Sequence, residues 1–239
     1  MLDANIKVSD DSLKGRFSVT NPNYNYSGNS ITTSLESTTI DKLTDYGYKT
    51  SKTGFSFSTS FEQYEDFYIR PNISIFGENL DTNSNASSQL KKQDGNYFDT
   101  DFQYSLIKDK RNQRFQPTEG FRNTFYQELP AISKNYEIVN QFETQRIQKV
   151  SNIITNISFY GKAINSLSDK DVRLSKRLYI PSKKLRGFEP GKVGPIEDQD
   201  YVGGNYVSSV NFNARLPGVL PSFQNTDVSF FIDAANIWG

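Results

Sequence analysis

The 239-residue chain has no cysteine and no histidine, and only one methionine and one tryptophan. Lack of cysteine excludes a disulfide framework, a thiolate zinc site and a thiol nucleophile. Lack of histidine removes the commonest general base and the HExxH type of metalloprotease. A surplus of either charge is also missing, because 27 basic residues balance 27 acidic ones. A nucleic-acid binder usually carries a basic excess, so no nucleic-acid partner is expected. No run of about 18 apolar residues occurs, which leaves no candidate for a transmembrane helix. The length suits one large domain or two ordinary ones.

What is present is an unusual mixture. Only 35% of the residues are hydrophobic, yet there are 14 tyrosines and 18 phenylalanines. A globular domain is about 45–50% apolar, and a disordered chain is poor in aromatic residues. A membrane β-barrel satisfies both numbers. Only its lipid-facing positions must be apolar, its aromatic residues gather at the two membrane interfaces, and its lumen-facing half can be Ser, Thr, Asn or charged.

The patterning agrees. Phe55, Phe57 and Phe61 alternate with Ser56, Ser58 and Ser60, and Phe98, Thr100, Phe102 and Tyr104 alternate with Asp99, Asp101, Gln103 and Ser105. Phe121, Phe125 and Leu129 oppose Arg122, Thr124 and Glu128, while Val210 and Phe212 oppose Asn211 and Asn213. Such a period of two marks strands with one apolar and one polar face. About ten strands are predicted on this basis, near 12–20, 30–40, 50–63, 67–79, 97–108, 120–130, 134–149, 151–164, 203–216 and 226–238. Many reach the roughly 9–11 residues that a tilted strand needs to cross a bilayer. Soluble strands usually run about 5–6 residues. Segments 62–66, 132–135 and 149–152 read as short turns, and 41–49, 80–96, 109–119 and 165–202 as long polar loops. Short turns at one end and long loops at the other are the expectation for an outer-membrane barrel. A soluble β-sandwich also alternates, but strand length, loop asymmetry and low hydropathy favour the barrel. Residues 1–11 lack the apolar stretch of a signal peptide, which such a barrel needs, so the chain is expected to be an internal piece of a longer protein.

Segment 165–202 is the most distinctive. It carries a basic run of Lys170, Arg173, Lys176, Arg177, Lys183, Lys184 and Arg186, which reads as a solvated loop face in preference to a site for lipopolysaccharide phosphates. Gly187, Pro190, Gly191, Gly194 and Pro195 then impose tight turns, and Leu185, Phe188 and Val193 offer a small apolar anchor. A long loop that orders itself in this way is expected to fold back into the lumen.

Leu185-Arg186-Gly187-Phe188, followed by Gly194-Pro195, resembles the (V/L)RGF loop signature of the BamA family of outer-membrane assembly barrels (the bacterial surface antigen family). Four further segments resemble that family in the same order. They are Phe17-Ser18-Val19-Thr20-Asn21-Pro22, the stretch from Asp109 through Phe115-Gln116-Pro117-Thr118-Glu119-Gly120, Val202-Gly203-Gly204-Asn205, and Phe230 through Trp238. The resemblance covers residues 12–239. It implies an all-β fold, an antiparallel transmembrane β-barrel of which residues 1–239 form a partial domain: about ten meandering strands of a larger set of about sixteen. The first and last strands and the periplasmic POTRA domains would lie outside it. It further implies location in the cell outer membrane and work as a factor that assists other barrels to fold and insert. The partners would be outer-membrane lipid, nascent barrel proteins and periplasmic or lipoprotein accessory subunits. No cofactor, no metal and no catalytic residue is implied, so the chain is not expected to be an enzyme.

In this family the loop arginine, here Arg186, is implied to grip a carboxylate on the inner wall at the position of Asp233. Parity is consistent with that: Asp233 shares a face with Ser229 and Phe231, opposite Val228, Phe230 and Ile232. Gly187 would allow the tight turn and Phe188 would pack under the loop. The sequence departs from the family at Asn213, where a carboxylate is usual, leaving Asp233 and Glu189 to balance Arg186. It departs again at Pro181-Ser182, where glycines usually precede the loop, and at Ala235. The same loop is shared by polypeptide-exporting barrels of the TamA and two-partner secretion types, which stay open as alternatives. A passive porin is a further alternative, and an outer-membrane hydrolase would need a site for which no histidine exists. Asp99 with Asp101, and Asp198 with Asp200, are weak calcium candidates and read better as solvated or lumenal acids. Trp238 and several tyrosines read as membrane-interface anchors.

Overall fold

A computed structural model of the chain describes residues 1–9, 12–43, 47–84, 86, 88–197, 200–219 and 227–239. The long strands are β1 (Leu2–Ser9), β2 (Ser12–Asn21), β3 (Ser30–Lys42), β4 (Tyr48–Tyr64), β5 (Phe67–Thr82), β6 (Gly95–Asp109), β7 (Gly120–Ile132), β8 (Glu137–Val150), β9 (Ile153–Ser166), β12 (Tyr206–Leu216) and β13 (Val228–Trp238). These eleven form a single sheet in which each pairs antiparallel with its neighbours in sequence. Two-residue strands β10 (Ile196–Glu197) and β11 (Asp200–Tyr201) make a small hairpin inside the β9–β12 connection. The large sheet is open among the described residues, with β1 and β13 at its edges.

The strands are long because two-faced alternation persists through them. In β4, Phe55 and Phe57 point outward and remain exposed, while Ser56 on the other face shares a 2.6 Å hydrogen bond with Ser34 of β3. The same inner face carries Thr20 bonded to Thr32 and Asn72 bonded to Gln103. Leu35, Phe98, Phe102, Phe142 and Phe230 are all exposed on the outer face. The usual polarity of a soluble protein is thus inverted, as lipid requires.

The buried core lies on the inner face. Val172, Leu178, Ile180 and Leu185 of the β9–β12 loop pack against Val139, Tyr160, Ile164, Val207 and Ile237 of the wall. Burying each of these aliphatic chains is worth roughly 1.5–3 kcal/mol, so the loop is held to the wall by its own greasy side.

Two expectations need correction. The meander has eleven long strands, because residues 2–9 form β1; Leu2, Ala4, Ile6 and Val8 alternate with polar residues, a signal too short to have stood out. The clean split of short and long connections also fails. Alternation puts the turns after β2, β4, β6, β8 and β12 at one end of the wall and the others at the opposite end. The long 110–119 loop therefore shares an end with the tight turns at 65–66 and 151–152, and the short 133–136 turn lies beside the long loops. The 110–119 loop is orderly: Arg111 forks onto Asp109 through two 2.7 Å bonds, and the Asn112 side chain accepts the Thr118 N–H.

Candidate functional site

The β9–β12 loop runs over the inner face. Its outgoing and returning limbs meet where Leu178 and Gly204 exchange backbone hydrogen bonds of 2.8 and 3.0 Å. Gly204 is demanded by close approach: a Cβ there would sit 2.6 Å from both Ile237 Cγ2 and the Trp238 carbonyl oxygen.

Pro181 leads into a single 3₁₀ turn, Ser182–Lys184. That turn sends Leu185 into the core and Arg186 toward β13. Arg186 Nε donates to Asp233 Oδ2 at 2.8 Å and Nη2 donates to Oδ1 at 2.7 Å. The backbone N–H of Arg186 donates to Oδ2 as well, at 3.0 Å. The result is a two-pronged, charge-assisted fork, the strongest ordinary geometry for such a pair. The guanidinium also lies 3.7 Å from the centre of the Phe231 ring, so the aromatic exception on the polar face of β13 is its stacking platform. Asn211, directly across from Asp233 in the β12–β13 register, donates to Asp233 Oδ1 at 2.8 Å and to the Lys184 carbonyl at 2.7 Å. The Asp233 carboxylate raises the proton affinity of Arg186 above its ordinary value, so the cation is permanent.

The remaining loop residues fall in different places. Leu185 is buried, and Val193 packs against the same cluster. Gly187 has φ +85° and Gly194 φ +120°; a Cβ on Gly194 would meet Ile237 Cγ2 at 2.9 Å. The Pro195 carbonyl accepts the Val202 N–H at 3.1 Å. Phe188 is not packed under the loop: it is 61% exposed, and Leu185 fills the wall-side space instead. Glu189 does not help to balance Arg186 but pairs with Lys192 at 2.9 Å. Asn213 stands across from Phe231, and Asn211 is the amide that reaches the fork. Asn211 was legible only through the register, since it lies on the same face of β12 as Asn213.

The basic run is not a solvated face. Lys184 pairs with Glu143 of β8, and Arg173 is fully buried among Glu78, Asp99 and Glu137. The reason is that acids from separate strands converge under it, which no single stretch of sequence displays. Lys170 and Lys183 do stay exposed. Asp99 and Asp101 are buried acids of the inner wall. Among the described residues no group of three or more acidic side chains is arranged to hold a metal ion. Asp198 and the side chain of Asp200 lie outside the described residues. Trp238 stacks on Tyr206 with ring centres 5.7 Å apart, at the rim from which the loop departs. Chemically the arrangement holds and positions; no nucleophile beside a base is part of it.

The chain is similar to known proteins in sequence and in fold. The Omp85 superfamily domain matches residues 1–239. The human sorting and assembly machinery component 50 homolog is 27% identical over 163 residues, covering 64% of this chain and 34% of that protein. Outer membrane protein assembly factor BamA of Neorickettsia risticii (strain Illinois) is 23% identical over 198 residues, covering 80% of this chain and 27% of that protein. The crystal structure of BamA from Haemophilus ducreyi lacking POTRA domains 1-3 superposes with a TM-score of 0.82 at 21% identity, over 99% of this chain and 52% of that one. The chain thus spans about a third or less of the curated relatives and about half of the solved chain. Because the domain match runs from end to end, the chain belongs to the Omp85 superfamily.

Proposed function

We propose that this chain is the wall-and-loop part of an outer-membrane factor that assists other β-barrels to fold and insert. The observation that carries the reading is the inward loop, clamped by the Arg186–Asp233 fork on a wall that is apolar outside and polar inside. Two relatives bear the names of assembly factors, which supports this work over an enzymatic one. In this reading residues 1–239 are part of a larger barrel, and the driving force is strand pairing, in which an exposed sheet edge templates an incoming strand. Leu185, Arg186, Gly187, Phe188, Gly194 and Pro195 make up the positioning loop and Asp233 is its anchor; none reacts. The partners are outer-membrane lipid, nascent barrels and periplasmic or lipoprotein accessory subunits.

The test uses the full-length protein in liposomes, supplied with an unfolded barrel client. Arg186→Ala is expected to lower the yield of inserted, protease-resistant client several-fold. A parent protein that inserts no more client than empty liposomes do, together with a large steady conductance in planar bilayers that Arg186→Ala leaves intact, would replace this reading with a porin.

A further inference from the structure

We propose that Arg173, rather than Arg186, is the principal anchor of the inward loop, and that the two together make the loop a tie between the middle of the wall and the edge strand β13. The side chain of Arg173 is 0% exposed, whereas that of Arg186 is 34% exposed. Arg173 Nη1 donates to Glu78 Oε2 of β5 at 3.3 Å, and Nη2 donates to Asp99 Oδ2 of β6. Nη2 also lies 3.8 Å from Glu137 Oε2 at the start of β8. The backbone N–H of Arg173 donates to the other Glu137 oxygen at 2.8 Å. Its guanidinium carbon sits 4.4 Å from the centre of the Tyr97 ring. The acids are themselves fixed, Glu78 by the Thr50 hydroxyl and Asp99 by the Ser133 hydroxyl.

Charge makes the cluster depend on this one residue. Three carboxylates are opposed by Arg173 and by Lys176, whose Nζ lies 3.2 Å from Glu137 and 3.8 Å from Asp99. All three acids are buried. Without Arg173, three buried carboxylates would face one ammonium, and like charges held together out of water are strongly disfavoured. Burial alone would lower the proton affinity of Arg173, but its carboxylate neighbours outweigh that and raise it. Arg173 therefore grips β5, β6 and β8 at once, while Arg186 grips β13 and, through Asn211, β12. Leu178, Ile180 and Leu185 pack the span between the two arginines onto the wall, and Val172 does the same just before Arg173.

The experiment compares the full-length protein with Arg173→Met, Arg173→Lys and Arg186→Ala, all folded in lipid. Loop opening is read by trypsin cleavage and amide exchange, and wall integrity by heat-dependent gel mobility. Arg173→Met should raise cleavage and exchange across 168–178 at least tenfold while the wall stays folded. Arg186→Ala should open 183–192 only. If Arg173→Met does not fold, Arg173→Lys keeps the charge, removes the fork, and should still open 168–178. Adding Asp99→Asn and Glu137→Gln to Arg173→Met should restore wall stability without restoring loop protection, because it removes the stranded charge and not the missing grip. The proposal is overturned if 168–178 stays as protected in a folded Arg173 variant as in the parent. It is also overturned if Arg186→Ala opens that segment to the same extent, or if the added neutral residues bring loop protection back.

Discussion

A guanidinium on an inner wall holds a loop through the acceptors that its donors find. At Arg186 the filling is done by one carboxylate, one aromatic ring and one amide that holds the carboxylate in place. Asp233→Ala removes the acceptor, strands a partly exposed cation and leaves the Asn211 amide only the Lys184 carbonyl. Breaking charged hydrogen bonds of this kind costs about 1–3 kcal/mol, less than the roughly 3–5 kcal/mol for a fully buried pair. The expected outcome is a lower urea midpoint for the lipid-folded protein, with loop residues 183–192 becoming cleavable. A midpoint equal to that of the parent would show that the fork contributes nothing to the fold. Parity within β13 put Asp233 on the face of Ser229, and the family resemblance brought Arg186 to it. Choosing Asn211 over Asn213, and Lys192 over Arg186 as partner of Glu189, needed the register and the turn at Gly187.

At the scale of the element, each strand is a ribbon with two chemistries. Phe57 and Ser58 are neighbours in sequence and face opposite solvents, so the same substitution should have unequal consequences. Phe57→Arg places a charge toward lipid and should cost about 2–4 kcal/mol near the bilayer midplane. Ser58→Arg points to the polar face and should cost under about 1 kcal/mol, the usual range away from packed features. Equilibrium unfolding of both variants in the same lipid decides the matter, and equal losses would mean that the face assignment of β4 is wrong. Alternation of this kind was legible in nearly every strand, since it is a property of one stretch of chain. β1 was missed because its alternation runs for only eight residues. The ends of the turns were misjudged because length alone does not say on which side a connection lies.

At the scale of the whole molecule, the sheet is a curved strip with the loop laid across its inner face. Among the described residues its edge strands β1 and β13 are each paired on one side only, and unpaired backbone groups are costly in lipid. For the 239-residue chain in bilayers, amides on the free edges of β1 and β13 should exchange far faster than those of β5 to β8. Uniform protection across all eleven strands would mean that the two edges pair with each other or with another copy.

The sequence by itself determined that this is a β protein turned inside out: period-two patterning, scarce apolar residues and abundant aromatics leave little else, and both Arg186 and Asp233 stood out within short motifs. Only the tertiary structure decided where the charges of the loop go. Arg173 reaches Glu137, Asp99 and Glu78 across separations of 36, 74 and 95 residues. The physical reason is that alternation is inherited from the geometry of one strand, whereas a buried ion cluster exists only once several strands are in register and water has been excluded from between them.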